Sequence, residues 1–305
     1  MGAVHEALAE RGKQGCLDFD APRRVIEAAA SFLADENDAA SFFYSGFAHI
    51  GLPHRRLPDE AAWQVTTERA SMVVTPGHKP SVSGKPVPVG VPYGAKARLI
   101  LLHLQTQAIR NQSREVELGN SLRDWLRRMG IPQGGKSIQD VKEQAERIAR
   151  CSISFDFHNG DVTGMFNQTL VDGHIIKSDP SNSLEHVYLS ERFFEQLRRH
   201  PVPIAEAAIK QLNGNSVALD IYCWLSYRLH VLKHPVQITW NALKAQFGAG
   251  TNRLDHFRSA FRNSLQMALA VYPDAKVDCN KNGIVIHPCR SPISAKIINI
   301  FSVKK

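Results

Sequence analysis

One order of elements occurs twice in this sequence, about 120 residues apart, and that repetition restricts the fold more than any single motif does. In the first copy, Val116–Leu118 is a short β-branched strand signal. Leu122, Trp125, Leu126 and Met129 then fall at i, i+3, i+4 and i+7, one apolar helix face, with Asn120 or Ser121 placed to cap it. Gly130 ends that helix and Pro132 keeps it from resuming. A glycine-rich turn leads into a second amphipathic helix, Lys136–Arg150, whose inner side reads as Ile138, Val141, Ala145, Ile148 and Ala149. Cys151–Phe157 alternates like a half-buried strand, and His158-Asn159-Gly160-Asp161 reads as a hairpin turn.

The second copy begins with the strand Val236–Thr239, followed by a helix with Trp240, Leu243 and Phe247 inward. Gly248-Ala-Gly250 breaks it, and Asn252–Val271 forms a long helix with Leu254, Phe257, Phe261, Leu265 and Ala268 inside. Ala275–Cys279 turns at Asn280-Lys281-Asn282-Gly283 into Ile284–His287. Strand, helix, turn, helix, hairpin is the order of a winged helix-turn-helix unit, in which the second helix enters the major groove and the hairpin lies beside the backbone. Helices over Gly94–Arg110 and Ser216–Leu232 hold matching places ahead of the two copies, as the first helix of each unit.

The expected class is therefore α+β, with tandem winged helix-turn-helix domains. Residues 1–90 read as a less defined N-terminal segment and linker, partly flexible; 91–200 as the first domain with an extended β-hairpin; 201–305 as the second. Within the N-terminal segment, Pro22–Leu33 suits a helix and Trp63–Val74 a strand pair. Ser41–Ile50 is rich in aromatics, and the prolines and glycines of Thr75–Val91 suggest a loop. His54-Arg55-Arg56, between prolines, is either an arm that reaches a phosphate or a solvated loop.

Charge follows the repeats. Residues 93–150 carry 11 Lys or Arg against 6 Asp or Glu, and 201–305 carry 13 against 5. The intervening segments 1–92 and 151–200 are slightly acidic, and the whole chain is at +8. Positive charge confined to the repeated segments is the footprint of a polyanion partner. No apolar run approaches a membrane span, and no signal peptide opens the sequence, so a cytoplasmic protein is expected. The five cysteines form no CxxC pair and read as small apolar fillers.

Stepping 100° per residue from Leu254 places His256, Ser259, Asn263 and Gln266 on the outer face of the second reader helix. Arg253 flanks it on one side and Arg258 and Arg262 on the other. Asn and Gln pair with adenine edges, and Arg with guanine or phosphate. In the first reader helix the same step exposes Lys136, Arg147 and Arg150 together with Asp140 and Glu143, a face of mixed sign. Lys281, at the tip of the second hairpin, is either a phosphate contact or a solubilising turn residue. Lys96, Arg98, Arg110 and Arg114 stand near the first helix as further phosphate contacts.

No catalytic, metal-binding or cofactor site is expected. Gly130-Ile-Pro-Gln-Gly-Gly-Lys136-Ser137 fits the string GxxxxGK[ST], yet a phosphate loop follows a buried strand, and the residues before this one are helix-periodic. No histidine pair takes the His-x-His form that a metal-dependent nicking enzyme needs. An ATP-dependent or nicking enzyme is the rival in that class.

The chain also resembles the plasmid-encoded RepA family of replication initiators. The resemblance is carried by Val91-Pro-Tyr-Gly-Ala-Lys-Ala-Arg-Leu-Ile-Leu101, Ser113-Arg-Glu-Val-Glu-Leu-Gly119, Ser121–Gly130 and Lys142–Cys151. His200-Pro-Val-Pro-Ile204, Ala218–His230 and Ala270-Val-Tyr-Pro273 complete it, so that it spans about residues 90–290. It implies binding of double-stranded DNA at directly repeated sites of a plasmid origin, recruitment of host replication proteins such as the replicative helicase, and copy-number control. By analogy it also implies a homodimer that represses and a monomer that initiates. The alternative is a winged-helix transcription repressor without an initiator role.

Overall fold

The computed structural model describes residues 3–16, 21–68, 70–82, 84–159, 162–177 and 184–293. Two units emerge: a terminal unit of residues 1–41 with 202–305, and a central unit of residues 42–201. The expected N-terminal segment, residues 1–90, is thus divided between them.

In the terminal unit, α1 (Ala3–Gly15) and α2 (Arg23–Leu33) come first. Val25, Ile26, Ala28 and Ala29 make the buried side of α2. The strand β1 (Ala40–Tyr44) carries the chain into the central unit.

The central unit continues through α3 (Gly46–His49) and strands β2 (Trp63–Thr66), β3 (Ala70–Thr75), β4 (Gly77–Lys79) and β5 (Val87–Gly90). Its axis is α4 (Gly94–Asn111), an 18-residue helix buried on nearly every side, from Ala97 to Ile109. That is more than the single apolar face expected. Two of its polar residues are matched internally: Thr106 Oγ1 accepts from Phe42 N at 2.9 Å, and Gln105 Oε1 from Tyr44 N at 2.7 Å. The aromatic run finds its packing here, where Tyr44 and Phe47 stand edge-on to Phe193 at about 6 Å.

After α4 come β6 (Glu115–Glu117), α5 (Gly119–Arg128) and α6 (Gly135–Arg150). Leu122, Trp125, Leu126 and Met129 of α5 are buried as their spacing requires. The helix starts at Gly119 without a side-chain cap, so neither Asn120 nor Ser121 serves as one. Strands β7 (Ser152–Asn159), β8 (Val162–Thr169), β9 (Val171–Lys177) and β10 (Leu184–Leu189) lead to α7 (Glu191–Arg199), capped by Ser190.

The terminal unit resumes with β11 (Pro201–Ala205), α8 (Glu206–Leu212), α9 (Ser216–Arg228), β12 (Val236–Thr239), α10 (Trp240–Phe247), α11 (Leu254–Ala270), β13 (Val277–Cys279) and β14 (Gly283–Ile286). α2 packs on α8 and α11, and His5 Nε2 lies 2.9 Å from the Ala270 carbonyl oxygen.

The repetition is visible in strand order. The central unit has a three-stranded antiparallel sheet β6-β10-β9, and the terminal unit one of order β12-β14-β13. In each, the strand before the helix pair joins the last strand of the hairpin, not the first. The hairpin that completes the first copy is therefore β9–β10. The strand at 152–159, expected in that role, belongs to a separate sheet of order β2-β3-β7-β8. Its turn residues Gly160 and Asp161 lie outside the described residues. The β7–β8 hairpin is an insertion between α6 and β9, and β3 covers it in register, with Met72 opposite Phe155 and Val74 opposite Ile153. Thr75–Val91, expected as a loop, contains the small β4–β5 pair, Gly77 opposite Gly90.

Candidate nucleic-acid interface

In the terminal unit, α11 is positioned from inside by Phe257, Phe261, Leu265 and Ala268, all buried. Phe261 contacts Phe257, Phe247 and Trp240, with ring centroids 5.4–6.0 Å apart. This aromatic cluster locks the rotation of the helix. His256, Ser259, Asn263 and Gln266, at i, i+3, i+7 and i+10, consequently all face solvent. Arg253 precedes the first turn and pairs with Asp255, holding that carboxyl below its usual range. Arg258 and Arg262 lie over the indole of Trp240, with Cζ 5.7 and 5.2 Å from the ring centroid. Neither has a carboxylate partner among the described residues.

The hairpin beside α11 is closed by its own side chains. Asn280 Oδ1 accepts from the amides of Asn282 and Gly283 at 2.9 and 3.0 Å. A Cβ on Gly283 would stand 1.8 Å from the Ile238 carbonyl oxygen, so only glycine fits where the turn meets β12. Trp240 N donates to Asn282 O and Trp240 Nε1 to Asn280 O. Lys281 projects from this fixed tip into solvent without an acidic partner among the described residues.

In the central unit α6 is turned from its expected orientation. Arg147, read as outward, is 2% exposed. Its guanidinium donates to Asp59 at 2.7 Å, to Glu143 at 2.8 Å and to the Val91 carbonyl at 3.2 Å, and lies over the Tyr93 ring. It is a framework residue with no surface to offer DNA. Hydrogen bonding to Arg147 holds the Asp59 carboxyl below its ordinary range. Gln144 Oε1 accepts from Tyr93 N at 2.8 Å, and Lys96 Nζ pairs with Asp140 at 2.6 Å. Arg56 of the basic arm completes the cluster through Asp59 and Glu143. Arg150 donates to the His78 carbonyl at 2.9 Å and reaches Glu146 at 3.4 Å.

Of the face expected inside, Ile148 is buried as expected, while the rest is partly or fully exposed. Ile138 is 40% exposed, and with Val141, Ala145 and Ala149 it lines a cleft of about 790 Å³ against Leu122 and Leu126 of α5 and Val171 of β9. Lys136, Gln139 and Lys142 are exposed on this helix, and neither lysine has an ion-pair partner among the described residues. Gln139 and Lys142 were not legible as an outer face, because the competing face is held by residues 52–93, far away in sequence. Arg98 is likewise internal, donating to the carbonyls of Pro53 and Leu52, and Arg114 is tied to Asp172. The GxxxxGK[ST] string runs from the end of helix α5, not from a strand, into α6. No helix among the described residues is long and apolar enough to cross a membrane.

These features define an α+β protein with a duplicated strand–helix–helix–hairpin module and, among the described residues, cations without a carboxylate partner along one helix of each copy. The chain belongs to the plasmid-encoded RepA family of replication initiators: the family profile described as plasmid encoded RepA protein matches residues 91–242, from the approach to α4 to the first turn of α10. No curated protein matches the chain significantly. Among solved structures, a crystal structure of domains 2 and 3 of RctB is similar over 80% of this chain and 98% of that one, with a TM-score of 0.54 at 13% identity. A second RctB domains 2-3 structure covers 84% of this chain and 98% of that one, with a TM-score of 0.49 at 11% identity. At such identity the likeness describes the fold alone.

Proposed function

We propose that each copy of the module is a winged helix-turn-helix unit, and that the chain initiates plasmid replication by binding double-stranded DNA at repeated sites of the origin. The carrying observation is the pair of three-stranded sheets with identical strand order, each following a two-helix pair. In such units the second helix enters the major groove and the hairpin flanks the backbone. α11 offers His256, Ser259, Asn263 and Gln266 to base edges, with Arg258 and Arg262 beside them and Lys281 at the hairpin tip for phosphate. α6 offers Gln139 and Lys142, with Lys136 and Arg150 at its ends.

The mechanism is non-covalent and needs no cofactor. Phosphate contacts supply affinity, base contacts set register, and the strain of several bound copies opens a neighbouring AT-rich segment, where host proteins including the replicative helicase load. The protein acts in the cytoplasm, and its dimer serves repression.

Supplying the gene in trans to a plasmid that keeps the origin region but lacks the gene tests the reading. Stable transformants are expected, together with chemically reactive, unpaired bases beside the footprint on supercoiled DNA. Binding without transformants would leave a transcription repressor as the function.

A further inference from the structure

Trp240 opens α10 with its indole 2% exposed. Phe261 meets the ring edge-on at 6.0 Å and 84°. Two cations also cover it: Arg258, half-buried, and Arg262, exposed, one turn apart on α11. Arg258 Nε is sealed from solvent without a hydrogen-bond partner among the described residues, so the ring is its contact. Burial raises the pKa of the Cys279 thiol of β13, and the Arg262 charge acts against that rise. From the same indole, Nε1–H donates to the Asn280 carbonyl at 3.2 Å, inside the hairpin turn that carries Lys281.

We propose that Trp240 is a positioning residue for DNA readout, holding Arg258 and Arg262 on the hairpin-facing edge of α11 and tying that edge to the hairpin turn. The inference rests on the reading of α11 as the DNA-contacting helix. Arginine side chains are rich in rotamers, and ordering them on binding opposes affinity. A guanidinium already laid on an aromatic face has given up that freedom before the duplex arrives, and its planar fork remains free at the edge for a guanine or a phosphate. A tryptophan serving only as core would bond its indole N–H to a carbonyl, but would not need two guanidiniums over its ring.

The full chain is titrated with two duplexes of equal length: the footprinted fragment from the region flanking its own gene, and a scrambled version. Trp240→Leu should lower the preference for the flanking fragment about tenfold, the scale of a desolvated cation–π contact, while binding to the scrambled duplex changes little. Arg258→Ala with Arg262→Ala should lower it at least as much, and adding Trp240→Leu to that pair should add almost nothing. Trp240→Phe, which keeps a ring but loses the indole N–H, should fall between. Full multiplication of the tryptophan and arginine losses overturns the inference alone. Unchanged affinity of the double-arginine variant overturns the reading of α11, and the inference with it.

An independent readout needs no DNA. In the free wild-type protein, the Nε–Hε NMR signals of Arg258 and Arg262 should be displaced by the ring current. In Trp240→Leu, which removes the ring, they should move toward free-arginine positions. Signals already at free positions in the wild type would overturn the inference.

Discussion

The guanidinium of Arg147 lies inside the central unit and joins Asp59, Glu143, Val91 and Tyr93, so one side chain fixes how α6 is rotated. Arg147→Ala removes a buried guanidinium with its hydrogen bonds to Asp59, Glu143 and the Val91 carbonyl, and should destabilise the unit by about 2 kcal/mol, measured by urea unfolding. Gly90 admits this guanidinium, since at φ +78° its Cβ would stand 1.9 Å from Arg147 Nη1. His103 sets a pH dependence. Its ring is fully buried against Trp125, and burial is the main cause that lowers its pKa from 6.5 to about 4. The unfolded chain then binds the extra proton between those values, so stability is full above pH 6.5 and falls by up to about 3 kcal/mol as pH drops toward 4. His103→Phe should flatten that part of the profile. An unchanged slope would assign the dependence to other groups.

At the scale of elements, α6 and α11 differ in how far their faces followed from sequence. α11 was legible because three large apolar residues, Phe257, Phe261 and Leu265, with Ala268 in line, define its inner face unambiguously. α6 was not, because its packed face is built from the polar Gln144 and Arg147, with Ile148 alone buried from the apolar side its spacing marks as inner. The partners of those residues come from 52–93, which no periodicity within the helix reveals. The same distance in sequence hid the pairing of β7 with β3, and with it the identity of β9–β10 as the hairpin of the first copy. The consequence is testable. Lys142→Ala should weaken DNA binding evenly across sequences and reduce the salt slope by about one, as for a single lost phosphate contact. Asp140→Ala, on the packed face, should leave the slope where it is.

The whole molecule repeats one module, with identical strand order in both sheets, and varies its surroundings. The central copy carries the inserted β7–β8 hairpin and the β2–β3 pair; in the terminal copy α1 and α2 are added. The central claim is that each copy presents its own helix to DNA. Dimethyl sulfate footprinting on the region flanking the gene tests it most directly, with wild type, Arg258→Ala/Arg262→Ala and Gln139→Ala/Lys142→Ala compared. Two separate patches of guanine N7 protection are expected, one lost with each pair of substitutions while the other persists. A single patch, or two patches that vanish together with either pair, would contradict it.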